Sequence, residues 1–339
     1  MQSIQPVTPA ITLDVQDLVV DVLTEHGWAT VVDGVSFTVA TGETLGIVGE
    51  SGSGKSVTCL AIAGLMPPRQ SRVGATALRL LEHDLTSLSR SEMSDVRGRK
   101  IAMIFQEPMT SLNPAFTVGD QIAEVLRRHE GCSRRDSKQR ATALLDRVGV
   151  PDPARRFTQY PFEFSGGMRQ RVMIAIALAC RPDVIIADEP TTALDVTVQA
   201  QIVELLRELQ REQGMSVIFI THDLGVVADV CDRVLVMYAG QIVEEASIDD
   251  IFESPEHPYT EGLLASVPRM DLPSSELVSI PGQPPRVGAM PAGCRFHPRC
   301  SYRRDECVAA GTSPALEWAG PGHVTRCLRH HELTLEGTT

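Results

Sequence analysis

Residues 46–58 read GIVGESGSGKSVT, and Gly49-Glu50-Ser51-Gly52-Ser53-Gly54-Lys55-Ser56 fits the pattern G-x-x-x-x-G-K-[ST]. Glycines at these positions let the backbone curl until successive N–H groups face inward. At the positive end of a helix that curl becomes an anion nest. Gly49, Ser51, Gly52, Ser53 and Gly54 are therefore expected to cradle the phosphates of a nucleotide. Lys55 should reach the β- and γ-phosphates, and the Ser56 hydroxyl should ligate Mg²⁺. A Gly/Ser-rich surface turn with an idle lysine is the bland alternative. The apolar run Leu45-Gly46-Ile47-Val48 before the loop and the helical pattern after it argue against that.

A loop that binds phosphates needs an acid to hold the metal and a base to activate water. DVIIADEPTTALD, residues 183–195, ends an apolar run with Asp188 and Glu189. Ligand-binding groups belong at the carboxyl ends of parallel strands. Asp188 is expected to hold Mg²⁺, and Glu189 to polarise the water that attacks the γ-phosphate. Taken alone, two such carboxylates would read as a solvated strand end. His222 closes the apolar run in SVIFITHD, residues 216–223, and Gln106 follows another in IAMIFQEP, residues 101–108. A γ-phosphate contact for His222 and a place in the metal sphere for Gln106 fit those positions, although a lone histidine is more often structural. A second anion-binding helix start lies in FEFSGGMRQR, residues 162–171. There Ser165 can cap a helix running from Met168 through Ala179, and Gly166 and Gly167 permit close backbone approach. One nucleotide is already wrapped by the first loop, so the second start is expected to serve a nucleotide held by another subunit. An ordinary capped core helix is the alternative.

These residues need a scaffold. Val35, Phe37 and Val39 alternate with polar neighbours, the period of a half-buried strand. Val184-Ile185-Ile186-Ala187 and Val217-Ile218-Phe219-Ile220 are continuous apolar runs, as in a parallel sheet covered on both faces. Ile202, Leu205, Leu206 and Leu209 line one face of a helix. Alternating strands and helices predict an α/β fold, with a helical subdomain inserted at about 107–175. The first domain is placed at 1–245. After it, Pro- and Gly-rich stretches such as SIPGQPPRVGAMPAGC, residues 279–294, predict a small irregular C-terminal domain at 246–339.

The chain has 339 residues, 43% of them hydrophobic, and a net charge of -12. That balance disfavours a general nucleic-acid surface. No apolar run approaches bilayer length. The start MQSIQPVTPA lacks the basic and apolar regions of a secretory signal, which predicts a cytoplasmic protein whose eight cysteines are reduced thiols or metal ligands and not disulfides.

Together these motifs resemble the ATPase subunit of an ATP-binding-cassette (ABC) transporter, over nearly the whole chain. Residues 49–56 correspond to the Walker A loop and Gln106 to the Q-loop. FSGGMRQ corresponds to the signature, with Ser165, Gly166, Gly167, Met168 and Gln170 facing a partner's ATP. Asp188-Glu189 corresponds to Walker B with its glutamate, TALD ending at Asp195 to the D-loop, and His222 to the switch histidine. The resemblance implies a P-loop NTPase fold with a mixed sheet core, an antiparallel β subdomain and a helical subdomain. It also implies ATP and Mg²⁺ as ligands, the ion held by Ser56, Gln106 and Asp188. FQEPMTSLNP, ESPEHPYTEGLLASVP and CRFHPRCSYRRDEC are similar to the ATPase subunits of oligopeptide, dipeptide and nickel importers. That branch implies a peripheral protein on the cytoplasmic face of the membrane. Its partners would be a second, paralogous ATPase subunit, two permeases and an extracytoplasmic substrate-binding protein; peptides are the expected cargo, with nickel or another small solute as alternatives. Two positions depart from the general pattern. Phe162 stands where the family often has His. Met168 replaces a glutamine, as is usual in the peptide branch. The adenine-stacking aromatic is not fixed: Trp28 is a candidate, but Val22 can occupy the aligned position. A soluble ABC protein of translation or DNA repair fits less well, because the chain has one cassette, no heptad run and an acidic balance.

Cys294, Cys300, Cys307 and Cys327 are separated by gaps of five, six and nineteen residues, wider than the tight pairs of most zinc sites. Resemblance to importer subunits with this tail implies a [4Fe–4S] cluster; zinc and free thiols remain open. His297 is a spare ligand or a loop residue. A chain working chiefly as a redox sensor through this tail is a third reading. Cys59, Cys132, Cys180 and Cys231 lie in helical or apolar patterns and are expected to be packed thiols.

Overall fold

A computed structural model of the chain describes residues 10–192, 194–266, 279–309 and 311–338. The N-terminal stretch read for a signal lies almost wholly outside the described residues, as do Ala193 of TALD and the final Val267-Pro268 of the proline-rich motif at 253–268. The chain folds as two compact units. Among the described residues, one gathers those of 10–15, 37–43 and 77–217; the other gathers those of 16–36, 44–76 and from 218 on.

In the first unit the strands Ile101–Ile104 and Val184–Asp188 pair in parallel, Ile101 opposite Val184. Every residue of Val184–Asp188 is buried, which is why its sequence is apolar without alternation. Phe37 and Val39 are buried and Thr38 is not, as their alternation predicts. The helices Val118–Glu130 and Arg134–Arg147 fall within the stretch expected to be helical, and Gly166–Ala177 runs two residues past its end. Each begins where a side-chain oxygen accepts a free backbone N–H: Thr117 from Asp120, Ser133 from Asp136, Ser165 from Met168. The helix expected from Met168 to Ala179 thus runs two residues earlier at both ends. Its cap residue ends the extended chain at 165, so Gly166 and Gly167 lie inside the first turn. Ile202, Leu205, Leu206 and Leu209 all bury one face of Val196–Gln213, which stops at Gly214 in a left-handed conformation.

In the second unit the strand Thr44–Val48 is buried throughout and pairs in parallel with Arg233–Tyr238. Arg233–Tyr238 pairs antiparallel with Gln241–Ser247, which pairs antiparallel with His323–Thr325; Glu317–Gly320 adds an antiparallel edge. Residues Val19 to Val22 pair antiparallel with the strand Ser71–Gly74. C-terminal segments therefore join a sheet that includes the strand leading into the glycine-rich loop. Beyond them the backbone at 279–300 is irregular, as its proline content requires.

One expectation for the thiols is corrected. Cys59, Cys180 and Cys231 are buried and packed, and burial raises the proton affinity of Cys180 to a pKa of about 11. Cys132 is only half-buried. It sits beside the ion pair of Arg140 with Glu130, and its sulfur is 3.2 Å from the guanidinium.

Candidate nucleotide site

The loop expected to bind phosphate, residues 49–56, lies in the second unit. Gly49, Gly52 and Gly54 have φ of 147°, 79° and 106°, values that L side chains rarely adopt. A Cβ at Gly49 would stand 2.1 Å from the carbonyl oxygen of Met237, so the loop leaves its strand at a point with no room for a side chain. Gly54 caps the helix Lys55–Ile62, and Ser51, Gly52 and Ser53 form the turn ahead of it. Lys55 is only 5% exposed. Its Nζ donates to the carbonyls of Gly49 and Glu50 at 2.7 and 3.0 Å, which folds the ammonium into the loop. Ser56, the next residue, stands in the first helical turn, half-buried. Inward N–H groups, a helix N-terminus and a buried cation are the donor set that a polyphosphate requires.

Sequence reasoning missed what holds this loop from behind. The Glu50 carboxylate accepts two hydrogen bonds from the Arg299 guanidinium, at 2.5 and 2.9 Å, and the Glu50 N–H donates to the Tyr259 phenol at 2.7 Å. The Arg299 side chain is 4% exposed, and the carboxylate hydrogen bond raises its already high pKa. It lies over the rings of Tyr238 and Phe296, and Tyr259 packs on both. His257 caps the helix Pro258–Ala265 through Nδ1, which accepts from the Tyr259 N–H; burial pushes its pKa down to about 3. Buried Glu244 accepts from the backbone N–H groups of Glu256 and His257, and its carboxylate is 2.7 Å from His323 Nε2. Burial disfavours the His323 cation, but the Glu244 hydrogen bond and charge outweigh it and raise the pKa. The available signal was a set of aromatic and charged residues in a proline-rich tail too irregular to bury them alone.

The carboxylates expected to act on the metal and the water lie in the first unit. Asp188 ends the buried strand and is itself 6% exposed. Glu189 follows with φ 45°, a left-handed conformation that is rare for a non-glycine residue and typical of functional sites. Gln106 Nε2 and Thr192 Oγ1 both donate to its Oε2, at 2.9 and 2.8 Å. The fold thus brings Gln106 to Glu189, and it adds Thr192, which the motif reading did not single out. Asp195 caps the helix Val196–Gln213 by accepting from the Val198 N–H.

In the same unit Ser165 Oγ accepts from the Met168 N–H at 3.4 Å. Gly167 has no room for a side chain either: a Cβ there would stand 2.6 Å from Val198 Cγ1. Gln170 is buried, and its Nε2 makes no hydrogen bond. In the second unit His222 is exposed after the strand Ser216–Ile220, one residue before Asp223 caps Leu224–Val230. Trp28 is 40% exposed, with the Arg72 guanidinium 4.0 Å over its ring, while Val22 pairs with Ser71.

The four tail cysteines line one small cavity in the second unit, together with His257 and His297. Burial and the neighbouring thiols raise Cys300 to about 11 and Cys327 to about 12. Burial therefore holds these groups as neutral thiols; four sulfurs facing one cavity are a donor set that a soft metal or a cluster could bind with loss of the thiol protons. No three of their sulfurs lie within 4.8 Å of one another among the described residues. A tetrahedral zinc would hold its sulfurs about 3.8 Å apart, closer than that limit.

Comparison with known proteins agrees with this layout. Residues 32–192 match the ABC transporter family, and residues 243–307 match the oligopeptide/dipeptide transporter C-terminal region. The chain belongs to the ATP-binding subunits of ABC transporters. Within them, a protein of Brucella abortus named as a peptide import ATP-binding protein is 53% identical over 93% of this chain and 94% of its own length. The dipeptide transport ATP-binding protein DppD of Bacillus subtilis is 54% identical over 87% of this chain and 88% of its own. The oligopeptide transport ATP-binding protein OppD of Salmonella typhimurium is 49% identical over 96% of each. Among solved structures, the dimeric cassette MJ0796 bound to ADP and Pi superposes with TM-score 0.62 at 28% identity, covering 70% of this chain and 98% of that one. The cassette cbiO1 of Clostridium perfringens gives 0.58 at 26% identity, covering 72% and 91%. Among the described residues no helix is long and apolar enough to cross a membrane.

Proposed function

We propose that the chain is the ATP-hydrolysing subunit of an importer for di- and oligopeptides, attached peripherally to the cytoplasmic face of the membrane beneath two permeases. The observation that carries this is the Glu189 carboxylate, fixed by Gln106 and Thr192 at the end of a buried strand in a chain that also carries the Lys55 loop. A carboxylate positioned by two side-chain donors is a suitable group to accept a proton from water. Ser56, Asp188 and Gln106 would hold Mg²⁺, whose charge offsets that of the phosphates. Lys55 and the N–H groups of residues 49–56 bind and orient the polyphosphate, His222 contacts its γ end, and Glu189 takes the proton of the attacking water.

The second helix start, at 165–168, supports a composite site in which Ser165, Gly166, Gly167 and Met168 face the nucleotide of a second ATPase subunit, with Asp195 on the same surface. ATP would then favour the closed pair by its differential affinity for the two states. A paralogous partner, two permeases and an extracytoplasmic binding protein complete the assembly. The domain division at 245/246, with a helical subdomain at 107–175, belongs to the same reading, and Trp28 remains its candidate for the adenine. The tail thiols would hold a [4Fe–4S] cluster that staples a segment with little apolar core of its own. An anaerobic preparation of the full chain without iron and sulfide would overturn the cluster.

The test of the function is transport by the complex reconstituted with its native binding protein. Peptide uptake that requires ATP and is lost in Lys55→Ala is expected. ATP hydrolysis stimulated by nickel or another solute and not by any di- or oligopeptide would overturn the cargo. Co-purification with ribosomes or DNA in place of permeases would overturn the importer.

A further inference from the structure

The C-terminal turn carries a cluster that the nucleotide chemistry does not use. Residues 327–333 fold back in two tight turns, with the His330 N–H on the Cys327 carbonyl and the Leu333 N–H on the Arg329 carbonyl. This brings His330 and His331 against the edge strand Glu317–Gly320, whose Glu317 sits opposite Thr325. One ligand atom from each of Glu317, His330 and His331 falls within 4.8 Å of the others.

His330 is 5% exposed, and its Nε2 is buried without a hydrogen-bond partner. Leaving such an atom unsatisfied is costly, so it calls for an explanation. Oε2 of Glu317 lies 3.6 Å from that nitrogen. That is too long for a hydrogen bond. It is close to the separation of two ligands on one tetrahedral ion: bonds of about 2.0–2.2 Å place the ligand atoms about 3.4 Å apart. The two imidazoles lie with ring centroids 3.6 Å apart, and Glu256 is within electrostatic reach of both.

We propose that Glu317, His330 and His331 bind one divalent transition-metal ion of the zinc class, which pins the C-terminal turn to the edge strand. Two imidazoles and one carboxylate suit zinc, cobalt or nickel and disfavour calcium and magnesium, which prefer all-oxygen sites. The fourth position is left to water. This site is separate from the four thiols: it uses nitrogen and oxygen, and none of its ligands lines the thiol cavity.

The test uses the full-length chain, with Zn²⁺ alone and Co²⁺ alone as probes. His330 is buried and its loss can misfold the turn, so the variant is the surface pair Glu317→Gln with His331→Asn, alongside Cys300→Ser with Cys307→Ser. In competition with a chromophoric chelator, the first pair is expected to lower Zn²⁺ affinity at this site at least 100-fold while circular dichroism stays unchanged. In the cysteine variant, Co²⁺ is expected to show d–d absorption without a thiolate charge-transfer band. Zn²⁺ affinity within threefold of wild type in Glu317→Gln/His331→Asn would overturn the site. So would a Co²⁺ spectrum that carries thiolate charge transfer and vanishes in the cysteine variant.

Discussion

Replacing Arg299 by Ala tests whether the proline-rich tail holds the nucleotide loop. The guanidinium makes two hydrogen bonds to the Glu50 carboxylate and is 4% exposed, whereas Glu50 is 28% exposed. Breaking one partner of a fully buried pair costs about 3–5 kcal/mol. Water reaches Glu50, so the lower end applies, and the lost packing on Tyr238 and Phe296 keeps the total near about 3 kcal/mol. With an unfolding entropy of about 2.1 cal/mol/K per residue over 339 residues, that lowers the melting temperature by about 4 °C. Because Glu50 lies between Gly49 and Ser51, the same change should weaken nucleotide binding, read with a fluorescent ATP analogue. A double-mutant cycle with Glu50→Ala isolates the pair, and a coupling of about 2 kcal/mol is expected. Arg299→Lys should recover only part of the loss, since an ammonium cannot make the bidentate contact. If the two alanine effects add to within about 0.5 kcal/mol, the loop is not held by this pair and the reasoning fails.

Glu189→Gln should retain ATP binding, slow hydrolysis by at least about 100-fold in the assembled complex and favour the closed pair; near-normal turnover would remove Glu189 as the base. Gly167→Ala places a Cβ 2.6 Å from Val198 Cγ1 and should destabilise by about 1 kcal/mol, an effect that Val198→Ala relieves in thermal melts. Gly166→Ala, whose Cβ would meet Leu194 at an ordinary 3.6 Å, should cost less stability. His257 has a folded-state pKa of about 3, below the ordinary 6.5, so unfolding takes up a proton as pH falls below 6.5. Between pH 7 and pH 5 this residue alone should cost about 2 kcal/mol of stability, and His257→Asn, which can still cap the helix, should flatten that slope in denaturant titrations.

The nucleotide machinery was legible because its chemistry is local. A phosphate nest needs glycines at fixed offsets and a lysine one residue past the last of them, and the positive φ values at Gly49, Gly52 and Gly54 are the conformations those glycines were chosen to reach. The buried strands could be read from unbroken apolar runs, and one helix start from Ser165, because a cap is satisfied within four residues. The helix at the signature was misplaced by two residues, since glycines lower helix propensity and hide a start that the serine alone defines.

Residues far apart in the chain met where no local rule could place them. Glu50 and Arg299, 249 positions apart, close an ion pair, and Gln106 reaches Glu189 across 83. Glu317 meets His330 through a turn whose sequence carries no regular period. The sequence by itself determined the glycine-rich loop, its lysine and the strands and helices beside them, because backbone torsion and capping are settled by near neighbours. Only the tertiary structure decided that the irregular tail supports the loop, that Thr192 joins Gln106 on Glu189, and that a carboxylate and two imidazoles converge. Burial creates the need for a partner, and chain packing alone selects which one is there to meet it.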